Sequence, residues 1–116
     1  MMNMPEPSRG EVWLIELNPT RGHEQRGTRP ALVVSVDEFN STPSGLVVAV
    51  PITTKAKGVI LHVPVGPNEG GLRLRSFIKC DDIRSLARER LRERWGSVSF
   101  QTLAQVELRL RRLMGL

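Results

Sequence analysis

The chain has no tyrosine, three phenylalanines, two tryptophans, one cysteine, two histidines and few lysines in 116 residues. Aromatic residues make up 4%, too few for a broad platform on which successive nucleic-acid bases could stack. A single cysteine, Cys80, excludes an internal disulfide and any cysteine-rich metal site. His23 and His62 lie far apart, so no histidine pair has metal-ligand spacing. No apolar run is long enough to span a bilayer, and residues 1–8 lack the apolar core of a secretion signal, which makes a cytoplasmic protein the expectation. A Walker-type phosphate loop and internal repeats are also missing.

The length fits one domain, small enough for association to assist its core. Residues 1–8, with Pro5 and Pro7, read as a flexible leader, and residues 9–116 as the folded unit. The formal charge is +5, the sequence pI is about 10.6, and arginine supplies nearly all the basic residues. Guanidinium groups suit bidentate contact with phosphate, so a polyanion is one reading of this bias. A compositional preference for arginine without any such partner is the other.

Two runs of β-forming residues, 11–17 and 31–36, are nearly continuous in apolar character, the mark of strands covered on both sides. Residues 46–52 give a third strand, where Pro51 implies a bulge or an edge position. Residues 59–65 alternate as a fourth, Pro67-Asn68-Glu69-Gly70-Gly71 reads as a turn, and residues 74–80 give a fifth. Residues 37–45 are a connection with room for one helical turn. Residues 82–95 are ambiguous, with apolar spacing nearer to a helix than to a strand. The last segment is amphipathic: Ser99 is an N-cap, Val98 and Leu103 can form a hydrophobic staple, and Leu103, Val106, Leu110 and Leu113 form one stripe. Gly115 can close this helix. Short strands followed by one such helix predict a small curved barrel closed by the helix.

The most informative stretch is Gly22-His23-Glu24-Gln25-Arg26-Gly27-Thr28-Arg29-Pro30, between the first two strands. A hairpin needs only a few connecting residues. Here the connection holds donors, a carboxylate, and glycines that permit unusual backbone angles, while Pro30 pushes Arg29 towards an extended conformation. It reads either as a loop built to hold an anionic ligand or as a long polar hairpin tip.

The ordered blocks Arg9-Gly10-Glu11-Val12-Trp13-Leu14, Asn18-Pro19-Thr20-Arg21-Gly22-His23-Glu24-Gln25 and Gly27-Thr28-Arg29-Pro30-Ala31-Leu32-Val33 resemble the N-terminal signature of the MazF/PemK/Kid family of toxin endoribonucleases. Val50-Pro51-Ile52-Thr53-Thr54-Lys55 is similar to its central motif, and Lys79-Cys80-Asp81-Asp82-Ile83-Arg84-Ser85-Leu86 to a segment of its Kid-like members. The resemblance runs from Arg9 to the C-terminus. It implies a mainly β, SH3-like β-barrel with a long C-terminal α-helix, the CcdB/Kid-like toxin fold, working as a homodimer. Under that fold residues 83–86 become strand. It further implies the toxin of a type II toxin–antitoxin system that cuts single-stranded RNA without a metal or cofactor, leaving a 2′,3′-cyclic phosphate and a 5′-hydroxyl and so stopping translation. An acidic MazE-like antitoxin is the implied partner.

By this resemblance the catalytic residues are Arg29, Thr53, Asp81, Lys79 and His23. Arg29 supplies charge to the phosphate; its guanidinium stays protonated and cannot be the base. Thr53 hydrogen-bonds the phosphate, Asp81 can take the 2′-hydroxyl proton, and His23 can shuttle protons. Lys79 stands where Kid-like members carry arginine, which removes a bidentate contact. Glu24, Gln25, Arg26, Thr28, Thr54, Lys55 and Lys57 are the implied RNA-binding residues. Trp13 and Trp95 are read as core or dimer-interface residues, and the basic segment from Arg73 to Arg94 as a mixed-charge solvated face. A CcdB-like inhibitor of a protein target, or an RNA binder that does not cleave, are the alternatives; the Gly27-Thr28-Arg29-Pro30 block favours the enzyme over the first.

Overall fold

A computed structural model describes residues 6–17 and 27–116. The elements in order are β1 (Glu11–Glu16), β2 (Thr28–Val33), the single helical turn α1 (Asp37–Asn40), β3 (Leu46–Thr53), β4 (His62–Val65), β5 (Ser76–Lys79), β6 (Arg84–Ala87), β7 (Leu91–Ser97) and α2 (Phe100–Met114). Two short 3₁₀ turns, Cys80–Asp82 and Arg88–Arg90, flank β6. The strands form one antiparallel sheet in the order β4-β5-β3-β2-β1-β7, with β6 also paired to β3. Residues 83–86 are therefore essentially strand, and the helical spacing of that segment is overridden by pairing with β3.

The strands bend the sheet so that both faces are covered. Val12, Leu32, Val50, Ile52 and Ile78 pack on one side under Val106 of α2, while Ile15, Ala31, Val33, Val47, Leu86 and Leu91 pack on the other. That division explains the continuous apolar runs of β1 and β2, whose alternate residues enter different clusters. Pro51 lies mid-strand in the central strand and not at an edge. It falls where β3 stops pairing with β6, at Ala49, and before it pairs with β5, at Ile52. A residue without an N–H is tolerated there because no ladder needs its donor.

The ends of α2 follow the sequence signals. Ser99 accepts from the Thr102 amide as N-cap, and Gly115 closes the helix in the left-handed conformation. Val98 and Leu103 pack against the same core cluster. Val106 is fully buried and Leu110 partly so, but Leu113 at the stripe's end is exposed. Within the expected leader, Pro7 is buried and its carbonyl accepts from the Asn40 side chain.

The turn at residues 67–71 is held tightly. Gly71 has φ +76°, and a Cβ there would lie 2.4 Å from the Trp95 carbonyl oxygen, so only glycine lets this turn approach β7. Glu69 accepts from the Ser99 amide at 2.8 Å and ties the turn to the start of α2. Burial alone would raise the Glu69 pKa, but hydrogen bonds from Thr102, Ser99 and Gly66 outweigh it and hold the carboxyl below its usual value. Glu11 behaves alike: burial acts against bonds from Ser8, Trp13 and Arg94, and the net shift is downward.

Two expectations follow. Gly71→Ala should destabilise the fold by roughly 2–4 kcal/mol, read as a lower urea midpoint, because a strained backbone and a collision with main chain combine. For Glu69 and Glu11 the folded pKa lies below the unfolded value of about 4.3. Their contribution is complete above that value and is lost as pH falls through the lower folded values. Melting temperature should therefore drop steeply below about pH 4.5, and less steeply in Glu69→Gln.

Candidate functional site

Arg29 is fixed by the local chain. Gly27 takes φ +81°, which turns the backbone into β2, and its carbonyl accepts from the Leu17 amide at 2.9 Å, closing the base of the connection. Pro30 then keeps Arg29 extended as the second residue of β2. The β2–β3 register ends by pairing Ala31 with Pro51; extended by two residues, it would set Arg29 opposite Thr53, the last residue of β3. Cross-strand neighbours lie on the same side of a sheet, close enough to act on one group.

Both residues line a cleft of about 570 Å³, together with Thr54, Arg73, Ser76 and Trp95. The Arg29 Nε is buried and has no hydrogen-bond acceptor among the described residues. A buried donor left open in this way is costly unless something occupies it. Arg73 is exposed in the same lining and enters no ion pair among the described residues. Arg94 also lines the cleft but is held by Glu11 at 2.6 Å and Ser97 at 3.1 Å. The Thr53 hydroxyl accepts from the Lys55 amide at 3.2 Å, curling the chain after β3 so that Lys55 and Lys57 stand exposed nearby in sequence.

Lys79 and Asp81 do not line this cleft. Phe77 on β5 is paired with Thr53, and strand alternation puts Lys79 on the same side of the sheet. The Lys79 Nζ lies 3.6 Å from Asp82, which also accepts from Arg84 at 2.8 Å. Asp81, in the 3₁₀ turn, is hydrogen-bonded at 2.9 Å to Nε2 of His62. His62 is buried, and its Nδ1 has no partner among the described residues. An unprotonated Nδ1 with the proton on Nε2 leaves no donor stranded, so the imidazole is the donor to Asp81. Sequence reading missed this pair; the only signal was a polar residue in an otherwise apolar alternating strand. Cys80 is buried, and burial pushes its thiol up to about 11, so it carries no thiolate near neutrality.

Thr28 and Thr54 are exposed beside Arg29 and Thr53. His23, Glu24, Gln25 and Arg26 lie outside the described residues. Among the described residues, no group of three His, Cys, Asp or Glu side chains is arranged to hold a metal ion.

Most arginines of the segment read as a solvated face are engaged in the fold. Arg88 donates to the Asn40 and Thr42 carbonyls at 2.7 and 3.2 Å, and Arg90 to the Glu16 carbonyl at 3.2 Å. Arg92 pairs with Glu16, and Arg75 lies 5.7 Å from the Phe77 ring centroid.

Comparison with known proteins places the chain in a family. Residues 8–114 match the model of the PemK-like, MazF-like toxins of type II toxin–antitoxin systems. Endoribonuclease MazF9 of Mycobacterium tuberculosis is 38% identical over 104 residues, which is 85% of this chain and 88% of that protein. The endoribonuclease toxin MazF of Escherichia coli K12 is 31% identical over 117 aligned positions, covering 99% of this chain and all of that one. The crystal structure of MazF from Deinococcus radiodurans superposes with a TM-score of 0.83 at 34% identity, covering 97% of this chain and 99% of that chain. An endoribonuclease from a mycobacterial species, solved in complex with its cognate antitoxin, gives a TM-score of 0.76 at 28% identity, covering 97% of each. By its matched length, its relatives and its fold, the chain belongs to the PemK/MazF family of type II toxin–antitoxin toxins.

Proposed function

We propose that this chain is an endoribonuclease toxin that cuts single-stranded RNA by attack of a ribose 2′-oxygen on the adjacent phosphorus. The bond from phosphorus to the 5′-oxygen breaks, leaving a 2′,3′-cyclic phosphate and a 5′-hydroxyl, and no water enters the first step. The observation that carries this reading is the Arg29 Nε, buried and without an acceptor among the described residues, beside Thr53 in a cleft large enough for a nucleotide.

The reaction needs charge at the phosphorane, an acceptor for the 2′-proton and a donor for the leaving oxygen. Arg29 provides the first, its planar fork engaging the non-bridging oxygens, with the Thr53 hydroxyl as a neutral donor. Asp81 and His23 are the proton-transfer candidates. Asp81 is already oriented by His62, and Lys79 adds charge on the Thr53 side of the sheet. Thr28, Thr54, Lys55 and Lys57 contact the strand on either side of the scissile bond, and Glu24, Gln25 and Arg26 read it from the connection before β2.

Ile60, Leu108, Met114 and Leu116 are exposed by 71, 57, 56 and 80%. In a homodimer a second copy would cover these apolar residues. Relatives have been solved as MazE–MazF complexes from Deinococcus radiodurans, and an acidic antitoxin competing for the basic cleft is the corresponding partner here. No helix among the described residues is long and apolar enough to cross a membrane, and cytoplasmic RNA is the natural target of such an enzyme.

Incubation with a long mixed-sequence RNA in excess EDTA should give discrete fragments ending in 2′,3′-cyclic phosphate; cleavage that requires added Mg²⁺ would overturn the metal-free mechanism. Arg29→Ala should fold normally and lose activity by at least about a hundredfold, the loss typical of one preorganised donor. Near-normal turnover by the folded variant would make Arg29 structural. Thr53→Ala should lose less, because a neutral hydroxyl gives a weaker hydrogen bond.

A further inference from the structure

One wall of the cleft is unused by this chemistry. Trp95 of β7 packs on the cluster containing Val12, Leu72 and Val106, and it also lines the cleft. The two tryptophans differ in one respect. Trp13 donates its Nε1–H to Glu11 at 3.0 Å, whereas the Trp95 Nε1–H has no partner among the described residues and is not one of the buried orphaned atoms. The same lining holds Leu74, 65% exposed, and the exposed carboxylate of Glu93, which enters no ion pair among the described residues. Arg73 and the Glu11-bound Arg94 of the same lining suit phosphate, while the apolar ring and the exposed leucine do not. The ring and the leucine suit the flat, uncharged face of a nucleobase.

We propose that Trp95 is the platform on which one unstacked base of the RNA strand lies, with Leu72 and Leu74 adding apolar surface beside it. This rests on the reading of the cleft as an RNA site. The division of labour is then spatial: Arg29 and Thr53 take the phosphate, and Trp95 takes the base of a neighbouring nucleotide. The indole N–H lies in the ring plane, so it cannot bond the base stacked on the ring. It is a donor for a ribose oxygen of the same strand. Because every base has a π-face, this platform contributes affinity and sets register more than it selects a letter. The turn at Gly71 supports it, since the backbone there lies directly against Trp95.

The test uses an oligonucleotide spanning a site first mapped by digestion of mixed-sequence RNA. In a Trp13→Phe background Trp95 is the only fluorophore, and binding of that oligonucleotide, with a 2′-deoxy sugar at the cut nucleotide, should quench its emission. Trp95→Leu, which keeps apolar volume against the core, should raise KM roughly 10- to 100-fold with kcat largely kept. Trp95→Phe should recover most of the loss. Removing one base from the oligonucleotide should erase the difference between Trp95 and Trp95→Leu at that position. If Trp95→Leu fails to fold, the fluorescence arm decides alone. Unchanged emission on saturation, or unchanged KM in a folded Trp95→Leu enzyme that still cleaves, would overturn the platform and leave the endoribonuclease reading standing. Failure of the unaltered protein to bind or cut any RNA would overturn both.

Discussion

The arrangement depends on one strand with three partners. β3 pairs with β2 along one side, and along the other with β6 and then β5. This double use bends the sheet, separates the two apolar clusters and places the end of β3, with Thr53, beside the start of β2, with Arg29. The mutual position of guanidinium and hydroxyl is thus set by main-chain pairing in the centre of the molecule. Cross-strand register resists slippage when both faces are buried, because a one-residue shift would exchange the faces of every side chain. Val50 and Ile52 lie in one cluster and Val47 and Ala49 in the other, so β3 is pinned from both sides. Preorganisation of the site is a consequence of burial elsewhere.

The sequence made some of this legible, and physical reasons separate the rest. The strands of continuous apolar character and the capped C-terminal helix could be read directly, because burial on two faces and an amphipathic stripe both leave periodic marks. The segment that became β6 could not, since four residues with helical spacing say nothing about a partner thirty-seven positions away, where Ser85 meets Val48. Pro51 misled for a related reason: a proline excludes a hydrogen bond, but only the fold shows that β3 changes partner at that point. Within the site, Arg29 and Thr53 came from motif resemblance, and the fold sets both in the lining of one cleft. The link between His62 and Asp81 joins residues on separate elements, and composition carries no trace of it.

Charge is divided more sharply in space than the sequence suggests. Arg84, Arg88, Arg90, Arg92 and Arg94 are each tied to a carboxylate or a backbone carbonyl, and exposed pairs of this kind contribute little to stability. Their service is geometric, since Arg88 and Arg90 fasten the corner between β6 and β7 to the loop after α1 and to the end of β1. The count of 17 basic side chains therefore overstates how much cation is available to a polyanion. Among the described residues, Arg29 and Arg73 in the cleft and Lys55 and Lys57 after β3 enter no ion pair, and a long-range field from the whole molecule would mainly speed encounter.

The path of paired strands ends on β4 and β7, and β6, paired to β3 alone, has a further open side. Open edges of this kind expose rows of backbone donors and acceptors, and in many proteins they recruit further strands into fibres. The two path ends are blunted differently. β4 carries the exposed Pro64, which has no N–H to offer. β7 carries exposed Arg92, Glu93 and Arg94 in succession, and its register against β1 shifts twice. A strand approaching either edge would meet a missing donor or an irregular, charged ladder. The molecule can thus leave apolar side chains on α2 open to a specific partner without these two edges inviting uncontrolled polymerisation.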